Sequence, residues 1–230
     1  MKAVIFELKG SIAHFRRPDT TATHLTYPFI TPTAAKGIVG AILGIEDFMT
    51  NDKIGIQLLS PVHTVTQQMS MIGKDAGNTF NRPTTIELIV NPYYRIYYAG
   101  KEYSEQLHDF LMKNHAVYPV YLGSAYALSK PLLNEVYQEV NLEIVGNSLI
   151  ETKTIIPTSI VKELHFQQDH YYSRAGGFMY KYKGQRVFEQ SINFLYEKEG
   201  RSITFTPVVN INEDSEINIV RLGEEYVCLF

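Results

Sequence analysis

Apolar and polar residues alternate from the first turn of the chain. Val4, Phe6 and Leu8 interleave with Ile5, Glu7 and Lys9, which predicts a strand from Lys2 to Ile12 with one apolar and one mixed face. A long polar loop follows from Ala13 to Thr31, and loops of that length are uncommon without a task. Thr31-Pro32-Thr33 has the form of a helix start, with Thr31 as the cap and Pro32 in the first helical position. The helix runs to about Leu43, turns Ile38, Val39, Ile42 and Leu43 to one face, and stops at Gly44. Gly37 and Gly40 lie inside it. Each costs roughly 0.5–1 kcal/mol relative to alanine, so the helix has to lie close to something. The sheet is one such partner and a nucleotide backbone is the other.

Alternation returns from Ile54 to Met71, then from Thr85 to Val90 and from Tyr93 to Tyr98. The intervening Met71–Thr84 is rich in Gly, Asn, Asp and Pro, so the two flanking runs predict a long hairpin with a polar tip. Ser104–Asn114 predicts a second helix capped by Ser104, with Leu107, Phe110 and Leu111 as its stripe. Val117–Leu122 predicts a short closing strand. With the hairpin set aside, the order is β-α-β-β-α-β, the ferredoxin-like unit. Beyond it, Val136–Ile144, Glu151–Ile156, Val187–Leu195, Ser202–Val209 and Glu216–Leu222 predict strands joined by turns, with no strong helix. The expected class is α+β. A ferredoxin-like (RRM/RAMP) domain spans 1–128, with an inserted β-hairpin thumb at about 66–90. A mainly antiparallel β lobe spans 129–230.

The length of 230 residues suits one large domain or two small ones, and a 45% hydrophobic fraction supplies an ordinary core. The single cysteine, Cys228, excludes an internal disulfide and a cysteine-based zinc site, and points to a reducing compartment. The N-terminal apolar run is cut short by Glu7 and Lys9, so no signal peptide is expected. No apolar stretch reaches the ~18 residues of a membrane span. A cytoplasmic, soluble protein with no metal and no cofactor is the expectation.

The net charge of −3 does not advertise nucleic acid, but its distribution is uneven. Residues 1–44 carry Lys2, Lys9, Arg16, Arg17 and Lys36 against Glu7 and Asp19, while acids outnumber bases in the rest. Arginines fork onto phosphate oxygens, so Arg16 and Arg17 are candidate RNA ligands. Lys36, near a helix start, adds charge beside them. His14 and Phe15 either stack on a base or wedge the loop against the sheet. Tyr27 and Phe29 flank Pro28 as core residues, and Tyr27, with a hydroxyl free to bond, is counted with the candidate RNA ligands. Gly123, after the expected fourth strand, would let RNA approach the backbone. Lys74, Asn78 and Arg82 on the hairpin are candidates for RNA or subunit contact. A later basic-aromatic segment, His170–Arg186, offers Arg174, Lys181, Lys183 and Arg186 as a secondary patch.

Enzymatic signatures are sparse. No G-x-x-x-x-G-K-[ST], G-x-S-x-G or H-E-x-x-H motif occurs. Gly37, Gly40 and Gly44 lie within a helix rather than opening one, against a dinucleotide fold. Metal-independent RNA cleavage needs a base and an acid, and Tyr27, Lys113 and His115 form the best available trio. A lysine and a histidine at a helix C-terminus are also explained by the helix dipole alone. A purely structural scaffold is a third reading.

The segment GSIAHFRRPDTTATHLTYPFITPTAAKGIVGAILG, Gly10–Gly44, resembles the start of the fifth CRISPR-associated (Cas) protein family of the RAMP superfamily. It pairs a strand ending in glycine with a Phe15-Arg16 loop, Thr26-Tyr27-Pro28-Phe29, Pro32-Thr33 and a helix closing on Gly40-Ala41-Ile42-Leu43-Gly44. Tyr121–Ser124 is a looser echo, and the type I-B branch is the most similar. The resemblance implies a ferredoxin-like domain with a thumb and a variable β-rich C-terminal domain. It implies a non-catalytic subunit of the type I Cascade complex that holds the 5′ handle of CRISPR RNA. The implied partners are the seven-type backbone subunit and the large subunit, with target DNA met only indirectly and no membrane. In the I-C branch the corresponding protein cuts precursor RNA itself, which is the alternative here.

Overall fold

The computed structural model describes residues 1–230 except 76, 141–147 and 209–214. In chain order the first part contains β1 (Lys2–Lys9), β2 (Ile12–Ala13), α1 (Pro32–Leu43), β3 (Lys53–Leu58), β4 (Thr64–Asp75), β5 (Asn78–Val90), β6 (Tyr93–Gly100), α2 (Ser104–Met112) and β7 (Leu132–Tyr137). The second contains β8 (Ile150–Thr152), β9 (Ile156–Pro157), a single 3-10 turn at Thr158–Ile160, β10 (Val161–His165), β11 (Tyr172–Tyr182), β12 (Phe188–Glu197), β13 (Ile203–Pro207), β14 (Asn218–Leu222) and β15 (Glu225–Leu229).

One antiparallel sheet orders β3-β6-β1-β7, which is the ferredoxin-like arrangement with α1 and α2 on one face. Val4, Phe6 and Leu8 point to that face and pack with Ile38, Val39 and Ile42 of α1 and Leu107 and Leu111 of α2. Ala3 and Ile5 point the other way, as period-2 alternation requires. With Tyr97 and Ala99 they form a separate core against Val220, Leu222, Val227 and Leu229 of β14 and β15. The second part therefore covers much of the sheet face that the helices leave open. It also pairs along the outer edge of β3, through Ile54 with Phe230 and Ile56 with Ile155.

The first helix starts and stops as read. Thr31 Oγ1 accepts the Ala34 amide at 3.1 Å, and Gly44 closes the helix at φ 75°. A Cβ on Gly40 would sit 2.7 Å from Phe48 Cβ, so the close partner of this glycine is the following loop rather than the sheet. The hairpin of β4 and β5 stays paired to its tip, from Thr64↔Ile89 to Asp75↔Asn78, and β2 extends it on the β5 side. The stretch read as a polar tip, Met71–Thr84, is thus mostly ladder.

Three expectations change. Val117–Leu122 is not a strand; the fourth strand is β7, whose Tyr137, Val136 and Glu135 pair with Ala3, Val4 and Ile5. The ferredoxin-like unit accordingly takes in residues beyond 128, and the strand read as Val136–Ile144 begins earlier, its later part lying outside the described residues. Ser104 does not cap α2. The turn leading into it is held instead by Asp52, 3% exposed, whose carboxylate accepts the amides of Lys101 (2.9 Å), Glu102 (3.1 Å) and, at the N-cap position, Tyr103 (2.9 Å). Finally, β10, β11 and β15 lie outside the strands read from the sequence.

Asp52 joins the end of β6 and the start of α2 to the entrance of β3, and charge-assisted hydrogen bonds are the stronger kind. Asp52→Ala is expected to lower the unfolding free energy by about 2–3 kcal/mol. Urea denaturation measures it, with Asp52→Asn recovering part of the loss.

Candidate nucleic-acid interface

The loop after β1 is not loose. Its two limbs form a short ribbon: Phe15 N donates to Thr26 Oγ1 at 2.9 Å, Tyr27 N to Phe15 O at 2.8 Å and Arg17 N to Leu25 O at 2.9 Å. The ribbon is tied to the thumb base, with His24 N on Thr85 O at 2.8 Å and Glu87 N on His24 O at 3.0 Å. His14 N donates to Leu122 O at 3.1 Å, which draws the 120s segment against it. Gly123 sits there at φ 83°, and a Cβ would collide with the His14 carbonyl. Gly123 is itself exposed, and what requires a glycine there is the ribbon on its Cβ side.

His14 and Phe15 belong to the wall. Phe15 is 4% exposed and meets Tyr94 edge-on at 6.4 Å. His14 is 6% exposed and its Nδ1 donates to Glu87 O at 2.8 Å, leaving Nε2 without a hydrogen-bond partner. Neither offers a free ring for a base.

Arg16 and Arg17 part company, because adjacent residues of a ribbon face opposite ways. Arg16 is exposed and has no carboxylate partner among the described residues, its guanidinium donating to Thr20 O at 3.5 Å. Its charge is felt by His14 and His24, and Arg82 of β5 also acts on His24. The charges of Arg16 and Arg82 thus both reach His24, which stands against the thumb base beside Ile86. Arg17 pairs with Asp19, at 2.6 Å and 3.1 Å, and opens on the opposite side. There it lines a cleft of about 490 Å³ with Tyr27, Glu87, Arg174 and Lys198. The structure thereby unites Arg17 with Arg174 from the secondary patch. Lys198 joins them from the end of β12, with no signal in the sequence beyond a Glu-Lys-Glu run.

The other members of that patch lie at the far end of β11. Lys181 is paired with Glu216, Lys183 with Glu189 at 3.1 Å, and Arg186 is exposed at a φ of 63°. Lys36 lines a second cleft near them, of about 710 Å³, and does not join Arg16. Burial pulls its ammonium down to about 8, partly offset by the carboxylates of Asp52 and Glu102. Asn78 is exposed beside the hairpin turn. The side chain of Lys74 lies outside the described part of the structure.

The proposed cleavage trio is not assembled. Tyr27 stacks on Phe178 at 4.3 Å and donates its hydroxyl to Gly177 O at 2.6 Å. His115 lines a separate hollow at the end of α2, and Lys113 is exposed at that helix end. Glu105, His108 and Asp109 approach one another on α2, where Glu105 is already paired with Lys2 at 2.7 Å. No helix among the described residues is long and apolar enough to cross a membrane.

The four-stranded sheet, its two helices and the long hairpin together define an α+β protein with a ferredoxin-like sheet. Residues 3–72 match the family model described as CRISPR-associated protein (Cas_Cas5). The N-terminal motif, Gly10–Gly44, lies inside the matched segment, and over that segment the chain is similar to this family. A CRISPR protein from Archaeoglobus fulgidus has a similar fold at 12% identity and a TM-score of 0.59, over 99% of this chain and 98% of that one. A chain of a CRISPR RNA-guided surveillance complex is similar at 12% identity and a TM-score of 0.57, over 93% and 95%. At such identities the likeness is one of fold. No curated protein matches the chain in sequence.

Burial and then the neighbouring Arg16 hold the His24 imidazole below its ordinary value; burial does the same at His14, offset by the bond to Glu87 and reinforced by Arg16. Depressed folded-state values mean that the unfolded chain takes up these protons first as acid is added. Stability is whole above about pH 6.5, the unfolded histidine value, and is lost as pH falls toward the folded values. Melting temperature is expected to drop between pH 7 and 5, and the double change His14→Gln with His24→Gln to flatten that slope.

Proposed function

We propose that the protein is a non-catalytic subunit of a type I CRISPR effector complex that binds the 5′ handle of CRISPR RNA. One observation carries this. In a chain of net charge −3, Arg16 is exposed with no carboxylate paired to it among the described residues, its charge and that of Arg82 both reach His24, and Arg17, Arg174 and Lys198 line one cleft. Phosphate oxygens complete such an arrangement, and guanidinium groups are suited to them. The N-terminal motif supports the same reading, as does the fold shared with a chain of an RNA-guided complex.

The thumb supports assembly with other subunits, the seven-type backbone subunit and the large subunit being the expected partners. Ile72 is 82% exposed and Phe80 49% on the outer half of the hairpin, and such apolar groups suit a neighbouring protein surface. The antiviral role and the cytoplasmic location follow from this reading. The absence of catalysis is part of the proposal. Its support is that the Tyr27 hydroxyl is committed to Gly177 and that His115 sits in a different hollow.

In the complex reconstituted with its partner subunits, the double change Arg16→Ala and Arg17→Ala is expected to weaken retention of the handle. It should also reduce the log–log salt slope by about one per lost phosphate contact. Arg174→Ala should act in the same direction. Unchanged retention at every salt concentration would end the reading. Incubated alone with precursor CRISPR RNA in EDTA, the protein is expected to leave it intact. Specific cleavage abolished by His115→Ala would establish the ribonuclease alternative instead.

A further inference from the structure

The larger cleft lies between α1 and the hairpin of β11 and β12, away from the Arg16 face. Its charged lining is almost wholly satisfied. Lys53 bonds to Ser215 O and Asn218, Lys181 to Glu216, and Lys183 to Glu189. Asp47 accepts from the Tyr182 hydroxyl and the Gln185 amide, which latches the hairpin tip to the loop after α1. Lys36 is the exception. Half-buried, it makes no hydrogen bond and no ion pair with any described residue. The two carboxylates that act on it are committed elsewhere, Asp52 to three amides and Glu102 to Thr50 and Asn51.

Next to Lys36 the helix offers a bare floor. Gly37 is exposed, and a Cβ built on it meets nothing within 4 Å. A glycine in a helix interior weakens the helix, and here no neighbouring atom among the described residues requires one. Opposite stand Tyr180, Tyr182 and Phe188, with the Tyr182 and Phe188 rings 5.1 Å apart. The volume of about 710 Å³ is in the range of small-molecule sites.

We propose that this cleft binds a nucleotide, its phosphate on Lys36, its sugar or base over Gly37 and against the aromatic wall. A cation without a partner among the described residues suits an anion. The aromatic wall selects an anion that carries a planar ring, since rings stack on aromatic side chains. The inference stands on the cleft itself. It rests on the RNA reading above only for one of two sources of the nucleotide, which is either a residue of the bound CRISPR RNA or a free mononucleotide.

The test uses the full chain. Calorimetric titration with AMP and with inorganic phosphate probes the free source. Photocrosslinking of thiouridine-substituted CRISPR RNA in the reconstituted complex, mapped to the Tyr180–Phe188 peptide, probes the bound one. Lys36→Met is expected to weaken the positive arm at least tenfold, and Lys36→Arg to restore most of it. Gly37→Leu fills the floor and should abolish binding while the melting temperature holds or rises, which separates occlusion from unfolding. AMP binding identifies the free source, and a crosslink without AMP binding identifies the RNA. Silence in both arms overturns the proposal. So does phosphate binding as tightly as AMP, or a positive arm that survives both Lys36→Met and Gly37→Leu. Handle retention that is lost in the Arg16 variant tests the other face, so the two readings fail separately.

Discussion

Tyr27 and Phe29 hold the molecule together. Phe29 lies 5.1 Å from Phe178 in a stack and meets Phe194 and Tyr196 edge-on at 6.1 Å and 5.1 Å, while Tyr27 covers the other side of Phe178. Phe194 passes the contact on to Phe230 at 4.8 Å, and Phe230 pairs with β3. Aromatic pairs of this kind add about 0.5–1.5 kcal/mol each beyond the area they bury. The Tyr-Pro-Phe knot therefore belongs to both halves of the fold. Through it the arginine ribbon, the thumb base and β11 have fixed positions relative to one another, and both clefts exist because of that.

The same closure decides where a nucleic acid can bind. In many ferredoxin-like RNA modules the open sheet face carries the stacking aromatics. Here β14 and β15 bury Ala3, Ile5, Tyr97 and Ala99 on that face. The proposed site for an extended polyanion is therefore the rim, where Arg16 has no carboxylate partner among the described residues. A local field matters more for such a site than the sign of the whole chain.

Much of this was legible in the sequence, and the failures have physical causes. The helix was bounded correctly at both ends because Thr31, Pro32 and Gly44 act through local backbone chemistry. The two central strands and the thumb were legible from their period. The fourth strand was not. Val117–Val120 is apolar and compact like a strand, yet its amides at 117 and 118 bond to the end of α1, while the true edge strand, Leu132–Tyr137, is half exposed and carries a weak pattern. Ser104 looked like a cap because caps are read from neighbours in sequence, and Asp52 reaches the helix from 51 residues away. Site residues behaved similarly. Arg16 and Arg17 were legible as cations but not as residues of opposite faces, since the ribbon pairing that parts them involves Thr26 and Leu25. Arg174 was legible as basic, though nothing local ties it to Arg17.

One strand links the two clefts. Arg174 near the start of β11 lines the cleft of the arginine ribbon, and Tyr180 to Lys183 at its end line the cleft of Lys36. At about 3.3 Å per residue the two ends lie roughly 25 Å apart. Between them the ladder with β12 slips at Ala175–Phe178, where Gly177 turns to φ 74° and its amide bonds to Asn193 at 3.0 Å. Bulges re-aim a strand, and this one drives Phe178 into the aromatic cluster while both flanks stay at the surface. A ligand gripping one end of β11 thus pulls on a strand whose middle is locked in the core. The two sites are held at a set separation by packing, and an RNA occupying both would be measured against it.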